Sequence, residues 1–298
     1  MLNLNLNIGE VIKKMKPTNF ERDERYWVPQ VKKGERYEAV IRFLPDKTLK
    51  NVVEKFYEHI FQVPPRMFYC VCPTTFGEYC PLCEHVADLF EKGKTNENIR
   101  KVASERKRIL RFVSNIYVVN DSTNPENNGK VFLFKYGKKI NQMLQEMAEG
   151  FEEAEKKGKD FIEEEVCFPW YPDERGGFFK LIIDTSGGFY DYSASRFFKI
   201  GRPLFDDEEK IMEILKQTYS LDEIMEEMRN EARKIEAKMK EFNLLKLDIE
   251  LGKDEKELEV KEEKKIKKID VSDVEIDDDL DLDELDEVDD LDELLDDE

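Results

Sequence analysis

Lys130–Tyr136 reads KVFLFKY, and its period of two decides the fold class. Phe132, Phe134 and Tyr136 fall on one face of an extended segment, with Lys135 on the other. The turn residues Asn127–Gly129 precede it, so the segment opens as a strand leaving a tight turn. Outward from it, YEAVIRFLP from Tyr37 alternates in the same way until Pro45 stops it. Asn115–Asn120 (NIYVVN), Glu165–Tyr171 (EVCFPWY) and Phe178–Asp184 (FFKLIID) complete the predicted strands, with Gly176–Gly177 and Gly187–Gly188 punctuating the last two. Short strands at this spacing predict a small barrel or sandwich. From Asp206 the period turns helical: Leu221, Met225, Met228, Ala232, Ile235, Met239 and Phe242 step by four and three, behind a capping box of Ser220 and Glu223. A stripe of that width predicts a helix packed on the β core. The class is therefore α+β with a mainly β core.

Charge divides the chain more sharply than hydropathy does. Of 68 acidic residues, 18 lie in Ile269–Glu298, a stretch without Lys or Arg; the remainder carries 50 acidic against 48 basic residues. The formal −20 thus belongs mostly to the tail. Residues 249–268 alternate Glu and Lys and read as a solvated linker. Residues 1–20 read as an arm whose charged cluster is Lys13, Lys14 and Lys16; 21–203 are the core, 204–248 a helical segment, and 249–298 the linker and tail. An acidic run of this kind solvates a protein or competes with another polyanion for a cationic groove. No apolar run is long enough to span a membrane, and the N-terminus lacks a signal-peptide pattern. The expectation is a cytoplasmic protein without membrane contact.

The cysteines point to metal. His59, Cys72, Cys80 and Cys83 are separated by twelve, seven and two residues, and Cys80-Pro-Leu-Cys83 forms a C-x-x-C knuckle. Four soft ligands without water make a closed structural zinc site, here one Zn2+ in a subdomain over about residues 55–90. Cys70 in place of Cys72, and His85 in place of His59, remain open from spacing. A zinc deaminase would pair H-x-E with P-C-x-x-C; Ile60-Phe61 follow His59 and Pro81 lies inside the knuckle, so the pattern predicts no enzyme.

Arg100-Lys101, Arg106-Lys107-Arg108 and Arg111-Phe112 are the densest basic run of the core. If residues 106–112 are extended, Arg106, Arg108 and Phe112 share a side and Lys107 and Arg111 the other. Rings beside cations suit unpaired bases and their phosphates, with stacking worth roughly 1–3 kcal/mol per base. The bland alternatives are a Phe face turned into the core and a basic run that is only wet surface.

The segment NPENNGKVFLFKYGKKI (Asn124–Ile140), AVIRFLP (Ala39–Pro45) and the set His59, Cys72 and CPLC enclosing TTFGEY together resemble the T-even bacteriophage single-stranded DNA-binding, helix-destabilising proteins. The likeness runs patchily from Ala39 to Phe197, and the acidic Leu/Asp tail matches in character. It implies an OB-fold with an inserted zinc subdomain. It also implies an N-terminal arm for self-association along DNA, and an acidic tail that meets replication and recombination proteins. Localisation would be the host cell cytoplasm. Aligned locally, the zinc ligands fall on His59, Cys72, Cys80 and Cys83, which selects Cys72 over Cys70. The DNA contacts fall on Lys107, Arg108, Tyr79, Phe112, Phe134, Phe189 and Tyr192, to which Arg106, Arg111 and Tyr136 are added from the basic run and the strand face. Ile109 and Leu110 interrupt the family's basic cluster, Val113 replaces an aromatic, and the compact basic motif of the arm is absent. Two readings from other classes compete: a zinc-ribbon adaptor that binds proteins through its acidic helix, and a zinc hydrolase using Glu58 or Glu84.

Overall fold

The computed structural model describes residues 23–198 and 201–244. The N-terminal arm, the linker and the acidic tail, with the roles expected of them, lie outside the described residues. Among these, eight strands form one sheet accompanied by six α-helices. Strand β5 (Ile109–Asp121) organises it. On one edge its first half pairs with β3 (Glu54–Val63) and its second half with β2 (Arg36–Leu44), both antiparallel. Its other edge pairs with β6 (Val131–Tyr136). Beyond β2 lie β7 (Phe179–Asp184) and β8 (Arg196–Phe197), and β1 (Tyr26–Trp27) adds a short parallel pairing to β6. Among the described residues no pairing joins the β1–β6 end of this path to the β7–β8 end.

The alternation in β2 explains the main core. Tyr37, Ala39, Ile41 and Phe43 are buried on one face, against Ile116, Val118, Phe134, Leu181 and Phe179. Phe43 is its hub, with ring centroids 5.8 Å from Tyr136 and Phe179 and 6.3 Å from Trp170. Helix α3 (Lys138–Lys156) follows β6 directly and covers this core with Ile140 and Leu144. The segment Glu165–Tyr171 is not a strand. It is a turn-rich stretch whose Phe168 N–H bonds the Arg175 carbonyl and whose Cys167 and Trp170 plug the core; Pro169 in its middle has no N–H to give a ladder.

The β3 strand and β4 (Arg66–Val71) form a hairpin outside the strands that the sequence predicts. Two helices, α1 (Pro81–Lys92) and α2 (Glu97–Arg106), lie between β4 and β5. After α4 (Glu208–Leu215), the apolar stripe from Leu221 becomes two helices, α5 (Leu221–Ala232) and α6 (Ile235–Glu241), where one continuous stripe was read. The break re-aims it. Leu221, Ile224, Met228 and Ala232 cover Phe56, Val71, Val113 and Leu133, the sheet face opposite the main core. Ile235 and Met239 instead cover Phe61, Phe68 and Cys70 on the hairpin.

Candidate metal centre and nucleic-acid interface

Local structure brings four soft ligands together. Cys80 caps α1, its sulfur accepting the Cys83 N–H at 3.4 Å, and Pro81 occupies the first turn where no donor is needed. One turn of 3-10 helix (Pro73–Phe76) follows Cys72 and ends at Gly77, whose φ of 70° lets the chain turn back towards Cys80. His59 enters from β3. Its Nε2 lies 3.5 Å from Cys83 Sγ and 3.6 Å from Cys80 Sγ, and Cys72 Sγ is 3.5 Å from Cys83 Sγ. All four ligand atoms fall within 4.8 Å of one another. A tetrahedral site with metal–sulfur bonds of about 2.3 Å has edges of roughly 3.8 Å, so the set fits a thiophilic divalent cation. His59 Nδ1 lies 2.9 Å from the Arg106 carbonyl, which as acceptor leaves Nε2 as the free lone pair.

The electrostatics make the same demand. Burial opposes charge on His59, but Cys72, Cys80 and the Arg106 carbonyl outweigh it and lift the imidazole to about 9. Hydrogen bonds with Cys80 and Cys83 hold the Cys72 thiol far below its usual range, and those with Cys72 and Cys80 push the Cys83 thiol far above. Three sulfurs so close ionise together only around a cation. Cys70 lies apart, its sulfur 3.6 Å from the Glu231 carbonyl and burial lifting its thiol to about 12. Neither it nor His85 belongs to the cluster.

The basic run begins beside this centre, in a different conformation from the one anticipated. Arg106 ends helix α2 rather than starting a strand. It is buried, with its guanidinium over the Phe61 ring at 5.4 Å, and so is removed from the set of surface contacts. Lys107 terminates the helix and is half-buried. Arg108 lies over the Tyr57 ring at 4.4 Å and donates to Thr74 Oγ1 at 2.9 Å. Tyr79 is 66% exposed on the metal loop and bonds Glu84.

A cleft of about 700 Å³ opens farther along β5. Residues of β6 (Phe134, Lys135, Tyr136) line one side and Ile183 of β7 with Tyr190 and Tyr192 the other, so it occupies the gap between the two ends of the sheet path. Arg111 enters it, bonded at 3.0 Å to the buried carboxylate of Glu58. Phe134 and Tyr136 require correction. At 4% and 3% exposure they are buried, although both line the cleft. The alternating strand turns both towards Phe43, and the Tyr136 hydroxyl is tied at 3.0 Å to Ser114. Phe112 is half-buried and stacks on Tyr136 at 5.8 Å. Phe189 is 38% exposed, and Tyr192 is half-buried in the cleft wall.

Several cleft residues escaped the sequence reading. Tyr190, 51% exposed, directly follows Phe189 after the glycine pair, a signal that was legible. Tyr26 and Trp27 form a two-residue strand, too short for any period to show, and Arg25 directly precedes it. Lys135 sits among the rings of Tyr26, Phe56 and Tyr69, 4.7 to 5.4 Å from each, and burial lowers its pKa. The wall formed by α5 is acidic: Glu227 pairs with Arg25 at 2.6 Å.

Against this geometry, a family model described as gp32 DNA binding protein like matches residues 35–245, well over half of the chain. The chain belongs to the gp32-like DNA-binding family. The matched region of this gp32-like chain includes the metal cluster, β5 and most of the cleft. The single-stranded DNA-binding protein of Enterobacteria phage T4 is 30% identical over 206 residues, covering 68% of this chain and 64% of its own. That of Enterobacteria phage T2 is 29% identical over 208 residues, with the same coverage. The likeness thus spans just under two thirds of either relative. Among the described residues no helix is long and apolar enough to cross a membrane.

Proposed function

We propose that this chain coats single-stranded DNA with little sequence preference and catalyses no reaction. The observation that carries the reading is the cleft at the open end of the sheet, where Tyr26, Tyr190 and Tyr192 lie beside Arg25, Arg111 and Lys135 in a gp32-like chain. Rings of this kind stack any base, and the cations meet the phosphates. The β5-centred sheet is read as an OB-fold, with the metal module inserted between β3 and β5. DNA would run from Phe189 and Tyr190 through the cleft, past Phe112, to Lys107, Arg108 and Tyr79 at the metal module. Zn2+ on His59, Cys72, Cys80 and Cys83 would be structural: the four protein ligands fill a tetrahedron and leave no open position for chemistry. The acidic tail would compete with DNA and recruit replication and recombination proteins, and the arm would support self-association on the strand. On this reading the protein would act in DNA replication, recombination and repair of a phage, in the host cytoplasm.

The test is a fluorescence titration of the full chain with a dT oligonucleotide and with a duplex of equal length. Trp27 and several tyrosines line the cleft, so the single strand should quench emission and bind more tightly than the duplex. Absence of quenching, together with absence of binding by anisotropy, would favour an adaptor that binds proteins alone.

A further inference from the structure

Thr74 stands between the metal cluster and the basic run and belongs to neither. Its hydroxyl oxygen accepts from Arg108 Nη1 at 2.9 Å and lies 3.1 Å from Cys72 Sγ. An oxygen that accepts from the guanidinium has its own hydrogen left to donate, and the sulfur is the acceptor within reach. The order is therefore Arg108 N–H to Thr74 O–H to Cys72 sulfur, a directed chain in which each bond polarises the next. Its far end is fixed as well, since the Arg108 guanidinium lies over Tyr57 and the Tyr57 carbonyl accepts the Cys72 N–H at 2.8 Å. Thr75, next in sequence, closes the frame by accepting the Tyr57 N–H at 2.9 Å.

We infer that Thr74 is a positioning residue: through its hydroxyl the thiolate of the metal centre orients Arg108 for a phosphate of the bound strand. This rests on the single-stranded DNA reading above. An arginine held by a ring below and a hydroxyl beside it keeps its other donors for the ligand and loses little rotamer freedom on binding. Coupling of this kind is reciprocal, so a bound strand also tightens metal binding.

The experiment compares wild type, Thr74→Val and Thr74→Ser in dT-oligonucleotide affinity, zinc content and zinc affinity by equilibrium competition with a chelator. Valine keeps the shape of threonine and removes the hydroxyl. Thr74→Val should retain one zinc and lose roughly tenfold in affinity, the size of one charge-assisted hydrogen bond. Thr74→Ser should restore it. In an Arg108→Ala background the Thr74→Val loss should disappear, and bound oligonucleotide should tighten zinc binding to wild type but not to Thr74→Val. Arg108→Lys leaves every metal ligand in place and provides an independent route, since an ammonium lacks the planar fork that both stacks and bonds; it should weaken binding similarly. Wild-type affinity in Thr74→Val, or a loss fully additive with Arg108→Ala, would overturn the inference while leaving the DNA reading intact. A wild-type chain that binds no oligonucleotide would overturn both.

Discussion

At the scale of single residues, two buried polar groups set the stability of the core. The first is Asp121, 2% exposed, which accepts from Trp27 Nε1 at 3.0 Å, Asn127 Nδ2 at 2.8 Å and the Thr123 and Asn124 N–H groups at 3.1 Å. Burial opposes its charge, yet the bonds from Asn127, Trp27 and Asn124 outweigh it and hold its pKa below the usual carboxylate value. A depressed folded pKa contributes stability that is whole above the unfolded value, about 3.9, and is lost as pH falls through the folded one. Asp121→Asn should therefore cost about 1–3 kcal/mol at pH 7, and the gap from wild type should narrow below pH ~4. Urea unfolding at both pH values measures it; a gap that persists unchanged in acid would contradict the assignment. The second is the cysteine pair that spacing left open. Cys72→Ser should abolish zinc binding and lower the melting temperature by more than about 5 °C, because binding free energy at such a site is folding free energy. Cys70→Ser should keep the metal, since its sulfur faces the Glu231 carbonyl. Metal analysis and calorimetry of the two variants decide it.

At the scale of elements, α5 both completes the core and crowds the cleft. Ile224, 2% exposed, packs in the cluster of Phe56, Val71, Val113 and Leu133, and Ile224→Ala should cost about 2–4 kcal/mol. Glu227, on the same helix, is largely exposed, so its pair with Arg25 adds little to stability. Glu227→Gln should leave the melting temperature nearly unchanged and raise affinity for a dT oligonucleotide severalfold, by releasing Arg25 from a competing carboxylate. Unchanged affinity would remove α5 from the interface. What the sequence made legible follows the same boundary. KVFLFKY and YEAVIRFLP announced β6 and β2 because their apolar residues alternate, and Phe134 and Tyr136 of the one and Tyr37, Ala39, Ile41 and Phe43 of the other enter the main core. The C-x-x-C knuckle announced the metal cluster because its geometry is local. Phe134 and Tyr136 misled for the same reason that β6 was found: alternation shows that a face is shared, not whether solvent or Phe43 lies against it. Arg106 was read as extended because a helix ending at a basic run leaves no apolar period to mark its last turn. The cleft itself is assembled from β1, β6, β7 and α5, elements about 200 residues apart, and no window of sequence contains it.

At the scale of the molecule, the proposed function requires a chain of net charge −20 to bind a polyanion. Segregation of charge allows it: residues 1–203 carry 33 basic and 30 acidic side chains, and the tail carries 18 of the negative charges. On the proposed function, cations in and beside the cleft neutralise phosphates, and the tail competes for them. Each phosphate neutralised on a single strand adds about 0.7 to the negative slope of log affinity against log salt. The direct measurement is a dT-oligonucleotide titration of the full chain, and of the chain ending at Lys268, across a salt series. Affinity should fall steeply with salt in both, and the shortened chain should bind more tightly, most clearly at low salt. Affinity independent of salt, or equal in the two chains at every salt concentration, would contradict the account.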